Sequence, residues 1–99
     1  MNKTGDTHKR EIERTIKRYL KITKKALDKA SKAMPRGKKE QAEIVLDMAN
    51  RYYKDALYFQ KKNKLATALA AVSYAHGWLD CGSKIGLFNV KDTKLFVVK

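Results

Sequence analysis

The sequence predicts an all-α protein, a three-helix bundle with a buried, alanine-rich third helix and a short C-terminal tail. Three observations predict it. Apolar residues recur at three-and-four spacing through two long segments, the period of a helix with one buried side. A third segment is apolar almost all round. Turn residues, Pro35-Arg36-Gly37 and Lys62-Asn63-Lys64, fall between the segments. With 99 residues, 43% of them apolar, the chain suffices for one core and one domain. The expected division is a helical domain over residues 1–90 and a tail over 91–99.

The first segment runs from about Thr7 to Met34. Ile12, Ile16, Tyr19, Leu20, Thr23, Leu27, Ala30 and Met34 draw one stripe along it. Thr7 is read as the N-cap, its hydroxyl accepting a bond from a first-turn amide. Pro35 closes the helix by disfavouring the α conformation at Met34. The second segment runs from about Lys38 to Lys62, with Ala42, Val45, Ala49, Tyr52, Ala56 and Phe59 inward and Leu46, Tyr53 and Leu57 widening the stripe. The short link makes the first two helices antiparallel neighbours. Asn63 suits the left-handed residue that ends a helix.

The third segment, about Lys64 to Ile85, carries Leu65, Leu69, Val72, His76 and Leu79 on one face and Ala68, Ala71, Ala75 and Gly82 on another. A helix this apolar is expected to be the buried, central one. Gly86 stops it, and Leu87 and Phe88 fold back as a hydrophobic cap. In the tail, Leu95-Phe96-Val97-Val98 has strand propensity but no partner strand, so it docks, pairs with a second copy, or frays.

Cys81 is the only cysteine, so no internal disulfide forms, and the first residues lack the apolar core of a signal peptide. The longest uncharged run, Leu65 to Leu79, is too short to span a bilayer. A cytoplasmic protein with no membrane partner is expected.

The formal charge is +13, and it is uneven. Residues 1–34 hold eleven Lys and Arg against four Asp and Glu, a net +7; residues 65–99 hold four against two, a net +2. Such a field attracts nucleic acid, acidic proteins or anionic surfaces without choosing among them. A generally lysine-rich proteome gives the same count. On the first helix, Arg10, Arg14, Lys17, Lys21, Lys24, Lys25 and Lys32 gather opposite the apolar stripe, over about 33 Å. Arg36, Lys38 and Lys39 extend the field into the link. These ten form the candidate anion-binding face, although the outer side of any amphipathic helix is charged and Asp28 interrupts this one.

Two further constellations invite a chemical reading. His76 and Asp80 are four apart and share a helical face, as an acid–base pair or half a metal site would. The plainer reading is a buried polar pair, bonded to one another or to a tyrosine hydroxyl. Asp55 lies three residues from both Tyr52 and Tyr58, and it either shapes a polar pocket or ties the second helix to the third. Cys81 reads as a small buried thiol. No HExxH, cysteine pair, phosphate-binding glycine loop or Ser-His-Asp set occurs, so no enzyme, cofactor or metal is expected.

Tyr53-Lys54-Asp55-Ala56-Leu57-Tyr58-Phe59, then Leu65 through Tyr74-Ala75-His76-Gly77-Trp78-Leu79-Asp80 and Gly86-Leu87-Phe88, resembles the archaeal domain-of-unknown-function family 357 over residues 40–90. The turn Lys62-Asn63-Lys64 departs from that family's Lys-Gly-Asp-like turn. The resemblance implies a compact helical bundle and an archaeal, cytoplasmic origin, and no activity. It points to Asp55, Tyr74, His76 and Asp80 as signature positions, forming a candidate polar cluster that is either structural or ligand-binding.

The leading functional expectation is a non-enzymatic binding module for nucleic acid or an acidic partner. The alternatives are a helical interaction scaffold, with a homodimer through the C-terminal tail, and a small-molecule or metal site at Asp55, His76 and Asp80.

Overall fold

The computed structural model describes residues 3–90, with side chains from residue 7 onward. It contains three helices, α1 (Lys3–Ser31), α2 (Lys39–Lys61) and α3 (Leu65–Lys84). The all-α expectation holds, and α2 and α3 fall within one residue of their expected bounds. The C-terminal tail, residues 91–99, lies outside the described residues.

The two ends of α1 differ from the expectation. The helix begins at Lys3, so Thr7 sits inside it and is not its N-cap. Nothing in Lys3–Asp6 stops a helix, since a single glycine costs only about 1 kcal/mol. At the other end α1 stops at Ser31, three residues before Met34. There Lys32 N–H donates to Lys29 O (3.2 Å) and Ala33 N–H to Ala30 O (3.1 Å), tightening the last turn. Ser31 Oγ also donates to Asp28 O at 2.8 Å. The restriction that Pro35 imposes on Met34 is thus met by unwinding earlier, and Gly37, at φ +83°, completes the reversal.

The ends of α2 and α3 share one device. Asn63 takes φ +58°, while Lys64 N–H donates to Phe59 O (2.9 Å) and Asn63 N–H to Gln60 O (3.0 Å). Gly86 takes φ +81°, with Leu87 N–H donating to Gly82 O (2.8 Å) and Gly86 N–H to Ser83 O (3.2 Å). Leu87 and Phe88 then fold back and are buried, and Asn89 N–H reaches Ala33 O at 2.7 Å. The end of α3 is thereby fastened to the link between α1 and α2.

The core has two layers. Ala26, Leu27, Ala30, Ala42, Val45, Ala49, Leu79, Leu87 and Phe88 fill one. Ile16, Leu20, Ala56, Ala68, Ala71 and Val72 fill the other, and Tyr53 packs against both. Alanine dominates, so the helix axes come close and packing, more than side-chain bulk, holds the bundle. The stripe read from the sequence is this core, except that Ile12 and Leu57 are exposed.

α3 is the buried, alanine-rich helix that the sequence predicts, with one side left open. Both predicted faces do turn inward: Ala68, Ala71, Val72, Ala75, Leu79 and Gly82 are buried. The remaining third of its girth, with Ala66, Ala70, Tyr74, Gly77 and Cys81, is exposed. Cys81 is therefore an exposed thiol and not a buried one. Three helices leave each member one open side, and apolar composition cannot close it. Among the described residues no helix is long and apolar enough to cross a membrane.

Candidate functional site

All ten residues of the candidate anion-binding face are exposed. Six of them, Arg10, Arg14, Lys17, Lys21, Lys24 and Lys25, occupy the side of α1 opposite Ile16 and Thr23, which lie fully buried against the bundle, and Lys32 follows just beyond the helix end. Two of the ten hold carboxylates: Lys24 Nζ lies 3.3 Å from Asp28 Oδ1, and Lys39 Nζ lies 4.0 Å from Glu43 Oε1. Both pairs are solvent-exposed i, i+4 contacts worth about 0.3–0.5 kcal/mol, too weak to withhold the lysines from another anion.

The structure sorts these cations further than the sequence does. At one end of the bundle, Arg10, Arg14 and Lys17 line a hollow of about 350 Å³ with Glu13, Gln60 and Asn63. At the other end, Lys32, Arg36 and Lys39 share a hollow of about 280 Å³. Lys21, Lys24 and Lys25 are exposed between them. Lys38 leaves the group, because its ammonium lies near Gly86, beside the C-terminal end of α3, where the helix dipole favours a cation. Gln60 and Asn63 were missed in the sequence. The antiparallel pairing of α1 with α2 was the available signal, because it sets the start of one helix beside the end of the other.

The candidate polar cluster does not come together. His76 Nε2 lies 3.6 Å from Asp80 Oδ1, and His76 Nδ1 lies 3.4 Å from Thr23 Oγ1. The pair is half-buried and faces α1, with a threonine hydroxyl where a tyrosine was expected. Tyr74, two residues from His76, points to the opposite side of α3, is 63% exposed, and stacks on Tyr52 with ring centroids 5.3 Å apart. This ring pair ties α2 to α3, the role considered for Asp55; Asp55 itself is exposed. Among the described residues no three His, Cys, Asp or Glu side chains gather as a metal site.

Beside the stacked rings, Tyr52, Ala70, Tyr74, Gly77, Trp78 and Cys81 line an open groove of about 570 Å³. None of these residues is a lysine, arginine, aspartate or glutamate, types that make up a third of the chain.

The fold and these surfaces define a small cationic helical bundle whose positive charge is densest along α1. Residues 18–88 match the family described as protein of unknown function (DUF357), and the chain belongs to that family. The match reaches back into α1, beyond the stretch over which the resemblance was visible. No curated protein and no solved structure matches the chain.

Proposed function

We propose that this protein is a non-enzymatic binding module whose α1 face takes up the phosphate backbone of a nucleic acid. One observation carries the reading. Six cations from Arg10 to Lys25 stand exposed along one side of a single helix, Lys32 continues them in the turn that follows, and a three-cation hollow opens at each end of the stripe. A face about 33 Å long meets many phosphates at once, since duplex DNA presents one charge per about 1.7 Å of axis. Contacts of this kind position a backbone without reading its sequence. The cytoplasm is the compartment we assign to this activity, in keeping with the lone cysteine.

The test is fluorescence anisotropy of labelled single- and double-stranded oligonucleotides across a salt series. If about five phosphates are neutralised, log affinity falls with log salt at a slope of about −3.5 to −4.5. Reversing Arg14, Lys17, Lys21 and Lys24 together to Glu reduces affinity at least about 100-fold and leaves helical content unchanged, because all four lie on the exposed side. Absent or salt-insensitive binding of the wild-type chain refutes the proposal. Equal affinity for an acidic polypeptide transfers it to an acidic protein partner.

A further inference from the structure

We propose that the hollow at the Arg10 end of the cationic stripe holds a phosphate monoester, the terminal phosphate of a nucleic-acid strand laid along α1. This rests on the reading of α1 as a backbone-binding face, and it names the part of the strand that the end of that face receives.

Arg10, Arg14 and Lys17 stand four and three residues apart on α1 and line the hollow together. That spacing puts them within about 60° of one another around the helix and over about 10 Å of its length, a span that long side chains cross to reach one group. Gln60, in the last turn of α2, and Asn63, in the turn that follows, bring carboxamide N–H groups from a second part of the chain. A guanidinium offers five donors in a planar fork, so two of them, with an ammonium and two amides, can serve every oxygen of one phosphate. A terminal phosphate has three oxygens free to accept. An internal phosphodiester has only two.

The charge of the hollow suits the same group. Among the described residues none of these three cations is paired with a carboxylate, whereas Lys24, Lys39 and Arg51 each are. Glu13 also lines the hollow, four residues before Lys17, the order that favours a helical ion pair, yet the two are not paired. Three cations against this one carboxylate leave a net +2. A phosphate monoester carries about −1.5 to −2 at neutral pH, and each internal phosphate carries about −1.

The two ends of the stripe are unlike, which gives a bound strand a direction. The hollow shared by Lys32, Arg36 and Lys39 is about 280 Å³, has one guanidinium and no side-chain amide, and Lys39 Nζ there lies 4.0 Å from Glu43 Oε1. The Arg10 hollow is about 350 Å³, within the range of about 300–1,000 Å³ found for small-molecule sites. Ile16 and Leu65 contribute apolar surface to its lining, against which the sugar that carries the phosphate can rest. The monoester therefore sits at the Arg10 end, and the rest of the strand runs towards Lys32.

Fluorescence anisotropy with the full chain at one salt concentration tests this. A labelled single strand of about 12 nucleotides with a phosphate at one end is compared with a hydroxyl-ended strand two nucleotides longer, which has the same total charge. Each end of the strand is tried in turn. At one of them the phosphate raises affinity at least about tenfold over the hydroxyl. Arg10→Gln brings that ratio towards one. So does Gln60→Ala with Asn63→Gly, in which glycine keeps the positive φ of the turn. Lys21→Gln with Lys25→Gln lowers both affinities and keeps the ratio, because these lysines lie outside the hollow. Salt-dependent binding with equal affinity for phosphate and hydroxyl at both ends overturns this inference and leaves the backbone-binding face standing. Failure of every strand to bind removes both. A ratio that Arg10→Gln leaves unchanged overturns the inference, as does a nucleoside monophosphate that binds as tightly as the phosphorylated strand, since the hollow then serves a free nucleotide.

Discussion

Gly77 and Gly82 lie five residues apart in α3, and the same substitution should act on them with opposite signs. At Gly82 a Cβ would occupy the space of the Phe88 ring, closer to its edge than real atoms approach. Phe88 is 3% exposed and cannot simply swing away. Its neighbours on either side are held by the bonds Leu87 N–H to Gly82 O and Asn89 N–H to Ala33 O. Gly82→Ala must therefore displace a buried phenylalanine, forfeiting much of the about 1.5–3 kcal/mol that its burial contributes. The helix returns about 1 kcal/mol, because alanine replaces glycine in its interior. The net loss is about 0.5–2 kcal/mol. Gly77→Ala meets no neighbour and keeps the propensity gain of about 1 kcal/mol. Urea denaturation followed by circular dichroism reads the difference directly. For a domain of this size the melting temperatures of the two variants should differ by on the order of 10 °C. If Gly82→Ala is as stable as Gly77→Ala, the ring does not rest on Gly82 and the described fold of the α3 end is wrong.

Two further substitutions test the interior. Ser83 Oγ is buried and has no hydrogen-bond partner, so Ser83→Ala should raise stability by about 0.5–1 kcal/mol; a loss in the same urea titration would mean that the hydroxyl is bonded. Thr23 is wholly buried with its hydroxyl 3.4 Å from His76 Nδ1. Thr23→Val keeps the shape and should cost about 0.5–1.5 kcal/mol, and a double-mutant cycle with His76→Ala should show coupling above about 0.5 kcal/mol; strict additivity would deny the link.

What could be read from the sequence, and what could not, follows from the range of the interactions involved. Helix periodicity is local, so Ile16, Leu20, Leu27, Val45, Ala49, Val72 and Leu79 could be assigned to the core one segment at a time, and all are buried. The turns were legible because Asn63 and Gly86 are the residue types that tolerate a positive φ, and both adopt one. The start of α1 was not, because Thr7 can cap a helix or ride inside one, and only the residues before it decide which. The exposed side of α3 was also hidden. Apolar composition says that a surface prefers to be covered, whereas the number of helices decides whether the chain itself can cover it. The cluster of Asp55, Tyr74, His76 and Asp80 joined residues by their place in a motif. The helix separates them by angle, with His76 towards α1 and Tyr74 towards α2.

The open side of α3 and the charged side of α1 are consequences of one arrangement. A bundle of three helices has no member enclosed on all sides, so each helix must present a face to something outside the chain. The sequence resolves this in two chemically distinct ways. α1 meets water with lysine and arginine, which cost nothing to solvate and lose little when an anion arrives. α3 has Ala70, Tyr74, Gly77 and Cys81 in the equivalent position, with Lys84 in its last turn. On that open side lysine or glutamate would favour the helix more than Gly77 does, though less than Ala70 does.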